Sequence, residues 1–158
     1  MRIIVEGPDG AGKTTLVKEL AAHFNCDILT MTEFGSKKMT DYEQKAKLNN
    51  IISDRCFLSE LVYASVADRK HVLSPHEYET LIRMYQNKGW KFIILDASVE
   101  CLLDRLNKRG GEDQWKIDKI TNLKTIYLML AKFYDLKIID SENLDVNDLI
   151  KDLEEGTI

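Results

Sequence analysis

Gly7-Pro8-Asp9-Gly10-Ala11-Gly12-Lys13-Thr14 is the stretch on which the reading of this chain turns. Its eight residues satisfy GxxxxGK[ST], the spacing of a phosphate-binding P-loop. Upstream, Met1 to Glu6 (MRIIVE) is a short apolar, β-branched run that predicts a buried strand. Downstream, Leu16, Val17, Leu20, Ala21 and Phe24 recur at the spacing of one helix face. In a strand–loop–helix context the glycines let the backbone curl until successive N–H groups point at phosphate oxygens. The helix N-terminus adds partial positive charge there. Lys13 is placed to reach the β- and γ-phosphates of a nucleotide, and the Thr14 hydroxyl to ligate Mg²⁺. The alternative, a chance glycine-rich turn, accounts for neither flank.

Composition sets the bounds. A chain of 158 residues fits one domain, 1–158, with one core. Hydrophobic residues make up 44% and charged ones 30%, as in ordinary globular proteins, and no apolar run approaches the ~20 residues of a membrane span. The formal charge of −4 argues against a nucleic-acid polymer as partner, whereas one nucleotide needs only a few local cations. Arg2 and Glu6 bracket too short an apolar stretch for a secretory signal, so the expected location is the cytoplasm. Cys26, Cys56 and Cys101 lack disulfide or zinc spacing and read as small buried apolar residues. His23, His71 and His76 lack ligand spacing and read as surface or helix-face residues.

Further strands are predicted at 26–31, 50–55, 90–96 and 136–140, each followed by a helical pattern or a polar segment. The helices include one over 41–48 and one begun by the capping sequence Ser74-Pro75-His76-Glu77 and stopped near Gly89. Another runs from Val99 to Lys108 with Leu102, Leu103 and Leu106 inward, and a long one carries the apolar pattern Ile117, Ile120, Leu123, Ile126, Tyr127, Leu130 and Phe133. A closing helix spans 146–153. Five strands alternating with helices predict an α/β fold, a five-stranded parallel sheet with helices on both faces. Asp54, ending the third strand, is a candidate acid for Mg²⁺, with Asp96 ranked behind it. Arg55 offers a planar fork for phosphate. Phe34, Lys37 and Lys38 follow the second strand, either as contacts to a second substrate or as a solvated loop. Arg105 and Arg109 flank Gly110 and Gly111, which suits a lid over about 105–116; the plainer reading is a solvated helix end.

Val5 to Thr15 (VEGPDGAGKTT) resembles the thymidylate kinase form of the loop, EGxDGAGKTT. Ser53-Asp54-Arg55 followed by Leu58 to Tyr63, Leu95 to Glu100, and Arg105 to Asp113 are similar to that family's DR motif, its LDVxPE segment and its arginine-bearing lid. The likeness spans about residues 1–140. It implies a three-layer P-loop kinase fold and transfer of the ATP γ-phosphate to a deoxynucleoside monophosphate. Gly7, Gly10, Ala11, Gly12, Lys13, Thr14 and Thr15 would then bind ATP, with Thr15 at the α-phosphate. Thr14 and Asp54 would hold Mg²⁺. Asp9 would face the acceptor, and Arg55 would fix its phosphate. Arg105 and Arg109 would stabilise the transferring group, because the loop carries no arginine of its own. Segments that grip the base in the family are replaced here by Thr32-Glu33-Phe34 and by DYEQKAKLNN, which leaves Phe34, Lys37, Lys38, Tyr42, Tyr63 and Arg83 as candidate replacement contacts. The compact chain is similar to kinases of bacterial viruses, some of which act on 5-substituted deoxyuridine monophosphates. The resemblance also implies pairing of copies into a homodimer. The competing readings are a deoxynucleoside kinase, for which Glu6 and Asp9 are the candidate carboxylates, and a non-catalytic nucleotide-binding module.

Overall fold

In the computed structural model, which describes residues 1–30, 38–110 and 117–158, the apolar run ahead of the loop forms β1 (Arg2–Glu6). Ile3, Ile4, Val5 and Glu6 are each 0% exposed. Successive strand residues point to opposite faces, so β1 is covered on both. The other strands are β2 (Asp27–Thr30), β3 (Ile51–Asp54), β4 (Lys91–Asp96) and β5 (Lys137–Asp140). They form a parallel sheet in the order β2-β3-β1-β4-β5. Val5 pairs with Asp54, and Glu6 with Ile94, which sets the carboxyl ends of β1, β3 and β4 around the loop that leaves β1. Ligands of open α/β sheets bind at this edge.

α1 (Lys13–Phe24) packs on β1, β2 and β3 and touches α7 (Val146–Glu155). Against the other face lie α2 (Met39–Lys45), α3 (Phe57–Val66), α4 (Pro75–Asn87) and α6 (Ile117–Tyr134). α5 (Val99–Lys108) joins α6. The result is the expected three-layer α/β arrangement. Under α2 and α4, Phe57 meets Tyr42, Tyr85 and Phe92, and Tyr85 meets Trp90, with ring centroids 5.2–6.3 Å apart. Their polar tips are satisfied, the Tyr85 hydroxyl donating to the Tyr42 carbonyl at 2.8 Å and Trp90 Nε1 to the Ala46 carbonyl at 3.0 Å.

Local signals fared well. Ser74 and Glu77 form a reciprocal capping box with Pro75 in the first turn. Helix α4 gives way to Gly89 at φ +79°, and α5 has the expected bounds. Helix α1 starts at Lys13 because Gly12, at φ 93°, serves as its N-cap. One pattern narrows and one expectation is corrected. Ile117 and Phe133 are 60% and 73% exposed, because α6 buries the narrower line Ile120, Leu123, Tyr127 and Ala131. Of the cysteines only Cys56 is buried; Cys26, just ahead of an edge strand, and Cys101, in the first turn of α5, are half-buried, and all three are free.

Candidate active site

The loop between β1 and α1 is shaped by close approach. Gly7 has φ +141°, and a Cβ there would collide with the Leu95 carbonyl oxygen of β4. Lys13, 5% exposed, folds back so that Nζ donates to the Pro8 carbonyl at 2.7 Å. Burial, and next the nearby Arg55 charge, lower its pKa to about 8. Beside it the Thr14 hydroxyl donates to Asp54 Oδ2 at 2.6 Å, so the two expected metal ligands meet. A hydroxyl and a carboxylate are hard oxygen donors, and a pair of them suits Mg²⁺, which takes its remaining ligands from water and phosphate. The rival Asp96 is engaged elsewhere, its two oxygens accepting from Lys124 Nζ at 2.5 and 2.6 Å.

Arg55 follows β3 in the left-handed region, φ 77°, a conformation that costs a non-glycine residue about 1–3 kcal/mol and is found where a site needs it. Its N–H donates to the Val5 carbonyl at 3.0 Å. The guanidinium is held on three sides. Nη2 donates to Asp9, while Nη1 donates to the Tyr63 hydroxyl and to Ser59 Oγ, both at 3.2 Å. The Tyr63 ring lies 5.2 Å below Cζ. Burial alone would lower the Arg55 pKa, but Tyr63, Tyr127, Glu6 and Asp9 outweigh it and hold the group charged. Burial raises the Tyr63 pKa and keeps its phenol neutral.

Lys13, Thr14, Asp54, Arg55, Asp9 and Arg109 line one cleft of about 270 Å³. A second, of about 330 Å³, lies across Gly10 and Gly12, bordered by Thr15, Arg105, Ser141 and Leu144. Arg109 borders both clefts. Arg105 borders only the second, where Nη1 donates to Ser141 Oγ at 2.9 Å and to the Gly10 carbonyl at 3.3 Å. The two arginines thus share the second cleft, and Arg109 alone of the two also lines the first. Three candidate contacts are not gathered here. Tyr42 is 3% exposed in the core, Arg83 pairs with Glu79 on α4, and Lys38 is the exposed residue before α2. Phe34 and Lys37, with the lid residues 111–116, lie outside the described residues.

Sequence reasoning missed Thr30, at the end of β2 on the first cleft, and the role of Glu6. Glu6 is 0% exposed. Oε1 accepts from the Cys56 and Ser59 N–H groups at 2.7 and 3.1 Å, and Oε2 from Ser59 Oγ at 2.7 Å and the Tyr127 hydroxyl at 3.0 Å. It caps α3 from a neighbouring strand. An acid closing an otherwise apolar buried run was the available signal.

A family profile described as an AAA domain matches residues 3–123. A probable thymidylate kinase of Metallosphaera sedula is 30% identical over 87% of this chain and 83% of its own. The chain belongs to this family of P-loop nucleotide and nucleoside kinases. The kinase is also 22% identical to a deoxyadenosine kinase of Lactobacillus acidophilus, over 84% of this chain and 77% of the other. Its fold matches that of the YorR protein from Bacillus subtilis, solved in complex with phosphorylated GDP. The TM-score is 0.78 at 23% identity, covering 99% of this chain and 95% of that one. Among the described residues no helix of the kinase is long and apolar enough to cross a membrane.

Proposed function

We propose that this kinase is a deoxynucleoside monophosphate kinase resembling thymidylate kinase, which transfers the ATP γ-phosphate to a pyrimidine monophosphate and releases ADP and the diphosphate. It acts as one domain, 1–158, with a lid over about 105–116, in the cytoplasm, in nucleotide biosynthesis such as that of a bacterial virus. The observation that carries the reading is the Arg55 guanidinium, fixed by Asp9, Ser59 and Tyr63 in the cleft of Lys13. An acceptor that already bears a phosphate makes use of that fork.

Phosphoryl transfer leaves a protein little covalent work, so positioning and charge carry the catalysis. Lys13 exchanges the Pro8 carbonyl for the β- and γ-phosphates, with the loop N–H groups and Thr15 cradling the rest. Thr14 and Asp54 would hold Mg²⁺, which would supply neutralisation of the donor's phosphate charge. Arg55 grips the acceptor phosphate, and Asp9 orients the acceptor. Arg109, bordering both clefts, reaches the transferring group from the lid side. Arg105 serves the donor side, bracing Gly10 against Ser141.

A nucleoside acceptor is the second reading, favoured by the Asp9–Arg55 contact, since a carboxylate beside an arginine suits activation of a 5′-hydroxyl. Glu6 does not serve that purpose, because its two oxygens already accept four donors. The deciding experiment follows ADP release with Mg²⁺-ATP against dTMP, dUMP, 5-hydroxymethyl-dUMP and other deoxynucleoside monophosphates, with the matching nucleosides beside them. The proposal expects turnover with a pyrimidine monophosphate and none with nucleosides. Turnover confined to nucleosides overturns it in favour of the second reading, and ATP binding with silence across the panel makes the chain a binding module.

A further inference from the structure

We propose that Tyr127, acting through Glu6 and Ser59, is a positioning residue for Arg55, so that helix α6 sets the orientation of the arginine that grips the acceptor phosphate. The inference rests on the acceptor-phosphate reading above. Its basis is a closed set of buried hydrogen bonds joining four parts of the chain. Tyr127 on α6, Glu6 at the end of β1 and Ser59 on α3 are each 0% exposed. The Tyr127 hydroxyl lies 3.0 Å from Glu6 Oε2 and 3.0 Å from Ser59 Oγ, and Ser59 Oγ lies 2.7 Å from Glu6 Oε2. Arg55 Nη1 donates to that same Ser59 Oγ at 3.2 Å.

The proton inventory gives the set a direction. Glu6 Oε1 accepts from two backbone N–H groups and Oε2 accepts from both hydroxyls, so the single hydrogens of Ser59 and Tyr127 both turn toward Glu6. That leaves lone pairs of Ser59 Oγ facing the guanidinium, which can only donate. Without Glu6 the Ser59 hydrogen is free to rotate toward Arg55, and the contact turns repulsive. Ser59 and Tyr63 then fix the plane of the fork, while Asp9 holds its outer nitrogen where an acceptor phosphate arrives. An arginine loses rotamer entropy on being ordered, and a fork ordered before binding does not lose it again when the acceptor docks. A carboxylate that did no more than cap α3 would be served by its two N–H contacts. The Tyr127 contact, reaching from a helix far along the chain, goes beyond that.

The test uses Tyr127→Phe, which removes one oxygen and keeps the ring, with Ser59→Ala as an independent variant. Each is made alone and in an Arg55→Lys background, where no fork remains to be oriented. KM is measured for ATP and for whichever of dTMP, dUMP and 5-hydroxymethyl-dUMP turns over fastest. The expected result is about a fivefold rise in acceptor KM for Tyr127→Phe and about tenfold for Ser59→Ala, with ATP KM unchanged, on the scale of one buried hydrogen bond. Both effects should vanish in the Arg55→Lys background. If Tyr127→Phe lowers the unfolding temperature with acceptor KM unmoved, or raises acceptor KM as much with Lys at 55 as with Arg, Tyr127 only packs the core and the proposal fails. An Arg55→Lys enzyme with unaltered monophosphate KM would instead overturn the acceptor-phosphate assignment, and the coupling with it.

Discussion

Lys13 should make ATP binding and apo-protein stability respond to pH in opposite directions. Its pKa is about 8 in the folded protein, against 10.5 for an ordinary lysine, with burial the main cause. The ammonium is what the β- and γ-phosphates need. Its charged fraction is about nine-tenths at pH 7 and about one-tenth at pH 9, so the apparent ATP Kd should rise about tenfold over that interval. Stability moves the other way. A lysine whose pKa is lowered on folding is a burden while it is charged in both states, up to roughly 3 kcal/mol for a shift of this size. That burden is complete below pH 8. It fades as pH climbs toward 10.5, where the unfolded lysine also loses its proton. Lys13→Met should therefore stabilise the nucleotide-free protein by up to roughly 3 kcal/mol at pH 7, with the advantage shrinking steadily above pH 8, while abolishing productive ATP binding. Calorimetric titration with ATP and thermal unfolding of both proteins between pH 7 and 10 measure the two trends. An ATP Kd flat across pH 7–9, together with a Lys13→Met protein no more stable than the parent at pH 7, would refute the argument that burial holds this lysine half-poised.

Arg105 and Arg109 should separate kinetically: Arg109→Ala lowers kcat on the order of a thousandfold, while Arg105→Ala chiefly raises ATP KM, and equal kcat losses for both would return Arg105 to the transferring group. Gly7→Ala forces a Cβ against the Leu95 carbonyl at a φ that disfavours it, and should lose at least about 2 kcal/mol of stability by urea unfolding together with ATP affinity. Ser74→Ala removes one half of the capping box on α4, at a residue that lines neither cleft, and should cost about 1 kcal/mol with kcat and both KM values unchanged.

Legibility in the sequence followed distance along the chain. The loop, its strand and its helix were readable because one contiguous stretch makes them, and the box at Ser74 and Glu77 spans a single turn. Five strands were readable from apolar runs. Their order was not, since pairing β1 between β3 and β4 is decided by crossovers that no local pattern records. Asp54 and Arg55 were found from the motif, but the left-handed backbone that turns Arg55 toward Asp9 left no mark in residue type. Arg105 and Arg109 looked equivalent at four residues apart; a serine 36 positions beyond Arg105 holds it on the second cleft. Tyr42 and Arg83 had the right chemistry for substrate contacts, yet one is spent on the aromatic core and the other on a surface ion pair.

Asp54 and Arg55 are joined by one peptide bond, and they touch opposite ends of the same loop, Asp54 at Thr14 and Arg55 at Asp9. Neighbouring Cα atoms are held about 3.8 Å apart by covalent geometry, so under the proposed function the acid for the metal and the clamp for the acceptor leave the backbone from a fixed pair of points. A slip of β3 against β1 would carry both anchor points together. On the proposed function, accommodating a different base or a longer substituent then falls to residues other than this dipeptide.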